Sequence, residues 1–145
     1  MRIEGSAFFA APRERVYTVF TDPDVLARAT PGVQSLSRAG EDRYEAVMKM
    51  GVAGITGTYN GSLTLTAKRP PEHYELGISG QGAPGFVQGT GVFDFEEEGD
   101  GTRVRYVWDV QVGGLVAGVG QRVLGGVARM IIDQFMKAME KEIAG

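Results

Sequence analysis

Histidine and cysteine supply many of the bases, nucleophiles and metal ligands of proteins, and this chain of 145 residues has one histidine and no cysteine. The lack of cysteine excludes disulfides, thiolate nucleophiles and thiolate-bound metals. His73 follows Pro70-Pro71 and begins an alternating stretch, on its polar face. No serine–histidine–acid motif accompanies it. We therefore interpret His73 as a surface residue, and predict no catalytic residue and no metal site.

Two other motifs have the residue types of binding sites. Glu96-Glu97-Glu98 and Asp100 form an acidic run, but they lack the oxygen-ligand spacing of calcium loops and fit a solvated hairpin tip. The string from Gly80 to Gly85 matches the G-x-G-x-x-G of dinucleotide sites. That fingerprint requires a helix to open at the glycines, whereas Pro84 and the residues after it predict a strand. We therefore predict no cofactor.

The overall composition excludes several classes of protein. The 15 basic and 18 acidic residues give a net charge of −3, without the basic excess of a nucleic-acid-binding protein. No apolar run approaches the ~20 residues that span a bilayer, and the first residues lack the apolar region of a signal peptide. A length of 145 residues and 43% apolar content predict a single globular domain, residues 1–145, in the cytoplasm.

The periodicity of apolar residues predicts the order of secondary structure. A strand over residues 2–10 precedes two short helices, whose starts are indicated by Pro12 and by Asp22-Pro23. From Val33 the period changes to two, with strands such as 55–67 and a hairpin of residues 86–97 and 102–112. After Gly113-Gly114 the period becomes helical, which predicts one helix over residues 114–142. The fold class is therefore α+β.

This order of elements predicts a cavity. Consecutive strands with short turns form an antiparallel meander, and its apolar face has only the C-terminal helix to cover it. A twisted sheet of about seven strands is wider than one helix of about 10 Å. Glycines on the apolar face leave gaps or let the sheet bend, and close packing of the helix against them is the alternative. These glycines are Gly57, Gly61, Gly80, Gly82, Gly89 and Gly91.

The predicted wall of the cavity consists of inward-facing apolar residues of the strands and of the C-terminal helix. Among them Tyr59, Tyr106 and Trp108 carry polar atoms that suit the head of a ligand. The predicted wall residues are Met48, Met50, Ile55, Tyr59, Leu63, Leu76, Ile78, Phe86, Phe93, Tyr106, Trp108, Val119, Val123, Val127, Ile131 and Phe135.

A series of short motifs along the chain resembles one protein family. The match runs almost end to end, and the succession of motifs is more specific than any one of them. The motifs are Ala11-Pro12 with Val16-Tyr17, Asp22-Pro23-Asp24-Val25-Leu26, Pro31-Gly32, Gly61, Pro70-Pro71-Glu72-His73-Tyr74, Gly85-Phe86-Val87-Gln88-Gly89, residues 101–106 and residues 112–120. They resemble the carbon monoxide dehydrogenase G-subunit family, within the helix-grip superfamily of START-like lipid-transfer domains (SRPBCC proteins) and polyketide cyclases.

The resemblance implies a helix-grip fold, in which a curved seven-stranded antiparallel sheet wraps around a long C-terminal helix, with two short helices after the first strand. It also implies a role beside a molybdenum hydroxylase of the carbon monoxide dehydrogenase type, in membrane recruitment or maturation. Ala29 stands where the family often has cysteine, and the C-terminal extension of some members is missing. Stable membrane anchoring is therefore less expected than transient contact with the inner membrane face.

Three functions are compatible with these patterns. The main hypothesis is a non-catalytic protein that binds an apolar small molecule, a lipid or a quinone, and assists a redox enzyme. A small enzyme of the polyketide cyclase type would require a carboxylate or imidazole facing the cavity. A pure protein-interaction module would have a filled core and an exposed apolar patch. The ligand, the partner and the oligomeric state are not specified by the sequence.

Overall fold

A computed structural model describes residues 1–51 and 56–145. Its elements follow the predicted order and confirm the predicted fold class. The strands are β1 (Arg2–Phe9), β2 (Val33–Gly40), β3 (Arg43–Met50), β4 (Gly57–Arg69), β5 (His73–Gly82), β6 (Gly85–Glu98) and β7 (Gly101–Gly113). The helices are α1 (Arg13–Phe20), α2 (Pro23–Ala29), a 3₁₀ helix (Gly114–Val119) and α3 (Gln121–Ala144).

The seven strands form one antiparallel sheet in the order β1-β7-β6-β5-β4-β3-β2. Strands β2 to β7 pair successively as hairpins, as expected for strands joined by short turns. The remaining strand, β1, pairs with β7, with Ile3 opposite Trp108. Strict alternation along β7 buries Val104 and Tyr106 while Arg105 and Asp109 are exposed. One face of the sheet is therefore available to cover the helices.

The two short helices begin where the sequence predicts. Pro12 precedes the first residue of α1, and Pro23 occupies the first turn of α2. The Asp22 carboxylate caps α2 by accepting a hydrogen bond from the Asp24 backbone N–H at 2.9 Å. Both helices place apolar side chains against the sheet and α3, and Phe20 at the end of α1 is fully buried.

The prediction of one continuous helix over residues 114–142 is wrong in its first turns. A 3₁₀ helix ends at Val119, Gly120 adopts a φ of +95°, and α3 begins only at Gln121. A positive φ is readily accessible to glycine, so Gly120 can separate the two helices at little steric cost. The inward stripe of α3 begins with Leu124. Leu124 is buried in α3, whereas the predicted Val123 is 45% exposed.

Aromatic side chains fill one end of the space between the sheet and the helices. Phe20 lies at their centre, with its ring 5.6 Å from Phe9, 5.4 Å from Phe95 and 6.0 Å from Phe135, measured between centroids. Tyr74 stacks on Phe93 at 5.0 Å and donates a hydrogen bond from its hydroxyl to the Phe20 carbonyl at 3.0 Å. We call this region the closed end. Its described side chains are buried and lie in ring-to-ring contact.

Candidate functional site

A cavity of about 280 Å³ lies beside the closed end, between the sheet and α3. Side chains from β2 to β7, α2 and α3 surround it, and the 3₁₀ helix contributes Val116. We call this region the open end. The cavity residues are Met1, Leu26, Ala27, Thr30, Val33, Leu36, Ala46, Met48, Met50, Tyr59, Gly61, Ser62, Leu63, Leu76, Ile78, Ser79, Gly80, Val87, Trp108, Val110, Val112, Val116, Leu124, Val127, Ala128, Ile131, Ile132 and Phe135.

The floor of the cavity is one row of small residues across five strands. Ala46 of β3 is opposite Gly61 of β4, which is opposite Gly80 of β5. The row continues through Val87 of β6 to Val112 of β7. Paired residues of adjacent strands point to the same side of a sheet, so this row has no long side chain over its full width. The shortage of side-chain volume here creates the cavity.

Glycine is present at the two positions of this row, residues 61 and 80, for different physical reasons. A Cβ on Gly61 would overlap the Ser79 carbonyl, so the close approach of β5 requires glycine at that position. A Cβ on Gly80 would have Tyr59 Cβ, at 3.7 Å, as its nearest neighbour, which is ordinary van der Waals contact. The backbone therefore does not require glycine at residue 80, and its main effect is to leave space in the cavity.

Most of the predicted wall residues surround this cavity. Ten of the sixteen border it, and one, Ile55, lies outside the described residues. The ten are Met48, Met50, Tyr59, Leu63, Leu76, Ile78, Trp108, Val127, Ile131 and Phe135. Whether they bind a ligand remains a prediction, but the structure brings them together around one space.

Phe93 and Tyr106 do not border the cavity. Both face the interior of the sheet, as alternation predicted, but they lie in the closed end. Phe93 packs between Tyr74 and the Trp108 ring, at centroid distances of 5.0 and 5.8 Å. Tyr106 extends over Gly5 of β1, where a side chain would overlap its hydroxyl group. Trp108, which is paired with Gly91, is therefore the aromatic residue at the boundary between the two ends.

Three other predicted wall residues lie elsewhere. Phe86 is 39% exposed on the outer face of the sheet, because alternation along β6 turns its odd-numbered residues, such as Phe93, inward. Val123 is 45% exposed, because it lies at the edge of the inward stripe that Leu124 and Val127 share in the first turns of α3. Val119, in the 3₁₀ helix, packs beside the buried cluster of Tyr59, Val116 and Leu124 without bordering the cavity.

Four of the six predicted gap-forming glycines do not border the cavity. A Cβ on Gly91 would overlap the Trp108 ring, and one on Gly89 would lie 3.2 Å from the Ile78 side chain. Large side chains of neighbouring strands therefore cover these two glycines. Gly57 and Gly82 lie against Pro84 and the Thr58 carbonyl, respectively. Only Gly61 and Gly80 open into the space.

Sequence reasoning missed the contribution of α2 and β2 to the wall. Leu26 and Thr30 at the end of α2, and Val33 and Leu36 of β2, all border the cavity. The apolar face of α2 was visible in the sequence, but its packing partner was not. On α3, the spacing of Leu124 and Ala128 marks the true inward face once the helix start is known.

The cavity is almost free of polar groups. Its described residues include no Lys, Arg, Asp, Glu or His side chain. The Thr30 hydroxyl donates to the Leu26 carbonyl at 2.7 Å, and the Ser62 and Ser79 hydroxyls are bonded to each other at 2.8 Å. Burial raises the pKa of Tyr59, so its phenol stays protonated at neutral pH. The interior therefore suits an apolar and uncharged guest.

The prediction that His73 is a surface residue is wrong, because the structure buries its side chain. Its ring lies on the outer face of β5 as expected, but the residue is only 8% exposed. Nδ1 is 2.7 Å from an Asp94 carboxylate oxygen, and Nε2 is 3.3 Å from Glu75. Asp94 is the register partner of His73 on β6, so the strand pairing itself brings these groups together. The site is on the opposite face of the sheet from the cavity.

Comparison with known proteins identifies the family. Residues 5–144 match the family of the carbon monoxide dehydrogenase G subunit (CoxG). The chain belongs to the CoxG family. A conserved protein from Geobacillus kaustophilus is 39% identical, with a TM-score of 0.95 over 99% of this chain and 95% of that one. No curated protein matches the chain.

More distant structures share the fold of this CoxG family chain. A START superfamily protein from Mycobacterium smegmatis has a TM-score of 0.72 and 15% identity, covering 99% of this chain and 97% of that one. A protein from Thermus thermophilus has a TM-score of 0.70 and 18% identity over 99% and 97%. The family and the START-like fold together indicate an accessory protein of the hydrophobic-ligand-binding type.

Proposed function

We propose that this CoxG family chain binds an uncharged apolar small molecule, a quinone or a neutral lipid, in the open end without transforming it. The observation that carries the proposal is the cavity of about 280 Å³ bordered by aliphatic, methionine and aromatic residues. This volume lies near the lower end of ligand pockets, which are about 300–1,000 Å³. A ring with a short tail suits this volume, and a longer tail would extend beyond it.

The polarity of the cavity favours an uncharged ligand. A fatty-acid carboxylate would have to leave water without a cationic side chain among the described cavity residues, which is costly. The one cation among those residues is the Met1 ammonium, which already donates a hydrogen bond to the Val110 carbonyl at 2.8 Å. A carbonyl head group needs only a hydrogen-bond donor. The Trp108 indole N–H is such a donor, since it borders the cavity and makes no hydrogen bond to another described group.

Around the open end, the distribution of charge suits transient contact with a membrane surface. Residues 76–93 and 110–121, which include the first part of β6 and the 3₁₀ helix, contain no charged side chain, although the chain carries 18 carboxylates. Leu115 of the 3₁₀ helix is 77% exposed, next to the cavity residue Val116. No helix among the described residues is long and apolar enough to cross a bilayer. We propose that the protein is cytoplasmic and collects its ligand by peripheral contact.

The partner enzyme that we propose for this chain is a molybdenum hydroxylase of the carbon monoxide dehydrogenase type. The family membership supports this part of the proposal. A carrier of quinones or lipids would serve such an enzyme in electron transfer, membrane recruitment or maturation. Affinity purification of the chain from its own cells tests it directly. Recovery of a molybdenum hydroxylase is expected, and consistent recovery of unrelated proteins alone would overturn it.

The two alternative functions receive less support. A small enzyme of the cyclase type predicts a carboxylate or imidazole facing the cavity, and the described cavity residues include neither. A pure interaction module predicts a filled core, whereas the open end leaves space beside Gly80. Neither alternative explains why small residues share one row of the sheet.

Native mass spectrometry tests the proposed cavity function. The chain is purified from its own cells, and bound molecules are extracted and identified. We expect the native protein and Gly77→Leu, which places the new side chain on the outer face, to carry a quinone or neutral lipid. Gly80→Leu, which places it in the cavity, is expected to carry at least tenfold less. Equal loading of both variants, or no apolar ligand on the native protein, would contradict the proposal.

A further inference from the structure

A second hollow lies on the outer face of the sheet, on the opposite side of β5 from the cavity. It encloses about 480 Å³, much of it open to solvent. Strands β4 to β7 supply its residues, which are Ser62, Thr64, Gly77, Ile78, Ser79, Gln88, Gly89, Thr90, Asp109 and Gln111. Ser62, Ile78 and Ser79 also border the cavity, and the proposed cavity function uses none of the other seven residues.

Gly77 creates the hollow, and the backbone does not require glycine there. A Cβ on Gly77 would have the Thr64 carbonyl oxygen, at 3.8 Å, as its nearest neighbour, and Gly77 is not at a positive φ. An interior glycine weakens a strand, since it has a high entropy in the unfolded chain and no side chain to pack. The glycine therefore has a cost in stability, and its visible effect is the open space between Thr64 and Thr90, its partners on the two neighbouring strands.

The outward side chains of the hollow are hydroxyls and amides, with one carboxylate. Gln88 is paired with Gln111, and Thr90 is paired with Asp109. Among the described residues, these four side chains make no hydrogen bond with another protein group, so they can bind a ligand. Further along the same face the character changes, with ion pairs such as Arg105–Glu96 at 3.1 Å. The neutral polar surface is therefore local to the hollow.

An aromatic ring lies just beyond the hollow on the same face of the sheet, next to the Gln88–Gln111 pair. Phe86 is two residues before Gln88 on the outward side of β6, and its ring covers Gly113, where any side chain would overlap it. It is one of the few large apolar side chains that are more than a third exposed. A flat apolar ring beside two amides matches the two faces of a sugar, and Asp109, four residues further along the strand pair, can contact a second sugar unit. The C–H face of the sugar packs on the ring, and its hydroxyls bond to the polar groups.

We infer that this hollow is a binding site for a neutral carbohydrate. Asp109 accepts hydrogen bonds from sugar hydroxyls, and charge assistance makes such bonds stronger than neutral ones. Gln88 and Gln111 each offer a donor and an acceptor. Phosphorylated sugars are disfavoured, because Asp109 repels them and the described residues of the hollow include no cationic side chain. The inference does not depend on the proposed function of the cavity.

Titration of the ¹⁵N-labelled full chain by NMR tests the inference, with glucose, maltose and N-acetylglucosamine as probes and glucose 6-phosphate as the anionic control. At least one neutral sugar is expected to shift the side-chain amide signals of Gln88 and Gln111 saturably, with a Kd on the order of 1 mM. Glucose 6-phosphate is expected to bind at least tenfold more weakly than the best neutral sugar.

Two leucine variants separate the two sites. Gly77→Leu fills the hollow and is expected to weaken sugar binding at least tenfold, whereas Gly80→Leu changes the opposite face and is expected to leave it unchanged. Phe86→Ala tests the ring and is expected to weaken binding several-fold. Retained spectra of the folded protein show that each variant is intact. Shifts that stay linear with concentration for every neutral sugar, or saturable binding that Gly77→Leu leaves intact, would overturn the inference.

Discussion

The closed end and the open end share one sheet and one long helix, yet only one of them is filled. At the closed end, α1 inserts Phe20 between Phe9, Phe95 and Phe135, and aromatic rings together with buried aliphatic side chains fill the space. At the open end, the corresponding row of the sheet contains residues such as Ala46, Gly61 and Gly80. The difference is one of side-chain volume, not of backbone architecture. Stability and ligand capacity are therefore carried by different ends of one fold.

The largest expected effect is the contrast between two methionine substitutions. Met139 is fully buried at the closed end, so Met139→Ala leaves an empty cavity and should lower the free energy of unfolding by about 2–5 kcal/mol. Met48 already borders empty space, so Met48→Ala should cost about 1 kcal/mol or less. Denaturant unfolding measures both. Equal losses would show that the two ends are equally packed.

A hydroxyl at the closed end provides a second test. Tyr74→Phe removes the bond to the Phe20 carbonyl and should lower the free energy of unfolding by about 1–2 kcal/mol at neutral pH. Burial also raises the pKa of Tyr74 well above its ordinary value. Because the folded pKa is the higher one, the stabilisation is complete below about pH 10 and is lost as the pH rises further.

The pH dependence of unfolding provides a control for the Tyr74→Phe substitution. The native protein should lose stability above about pH 10, and Tyr74→Phe should show a shallower decline. Chemical denaturation across the alkaline range measures both. An unchanged slope in Tyr74→Phe would mean that the phenol ionises in the folded state as easily as in the unfolded chain.

The smallest expected effect concerns an ion pair between α2 and α3. The Arg28 guanidinium donates two hydrogen bonds to the Glu142 carboxylate, at 3.0 and 2.9 Å, and these bonds hold the pKa of Glu142 below its ordinary value. The stabilisation is therefore present at neutral pH and is lost as the pH falls below about 4.3 through the lowered pKa. Glu142→Gln should be slightly less stable than the native protein at pH 7, and equal to it in acid.

Arg28, the other residue of this ion pair, provides the control. In an Arg28→Gln background, Glu142→Gln should change stability by less at neutral pH, because the bonds that lower the pKa are gone. Urea unfolding at several pH values measures this difference. A pH-independent effect of Glu142→Gln in both backgrounds would assign it to packing instead.

Local signals in the sequence predicted most of the fold. Alternation along β7 identified its two faces, and Asp22-Pro23 identified the start of α2, because these patterns depend on backbone geometry near each residue. The helix break was missed because 3₁₀ and α segments both read as helical, and only the backbone angle at Gly120 shows where one ends and the other begins. Val123 was predicted in place of Leu124 for a separate reason, because each i, i+4 step back from Val127 turns about 40° beyond a full helical turn and leaves the inward face.

The composition of the site was less predictable than the fold. Phe93 and Trp108 both face inward, and the sequence alone does not show that Phe20 fills the space beside Phe93. The wall formed by Leu26 depends on how α2 packs against its neighbours, which is a tertiary property. Phe86 is a different case, since the parity of alternation along β6 was sufficient to place it outside.

Thermal unfolding of the native protein and of Gly80→Leu, each with and without a short-chain quinone, tests the cavity most directly. A leucine that enters empty apolar space should stabilise the free protein by about 1–3 kcal/mol and prevent the ligand from binding. The predicted result is therefore a higher midpoint for the free variant than for the free native protein, with quinone raising the midpoint of the native protein alone. A destabilised variant, or equal increases with quinone for both proteins, would contradict the account.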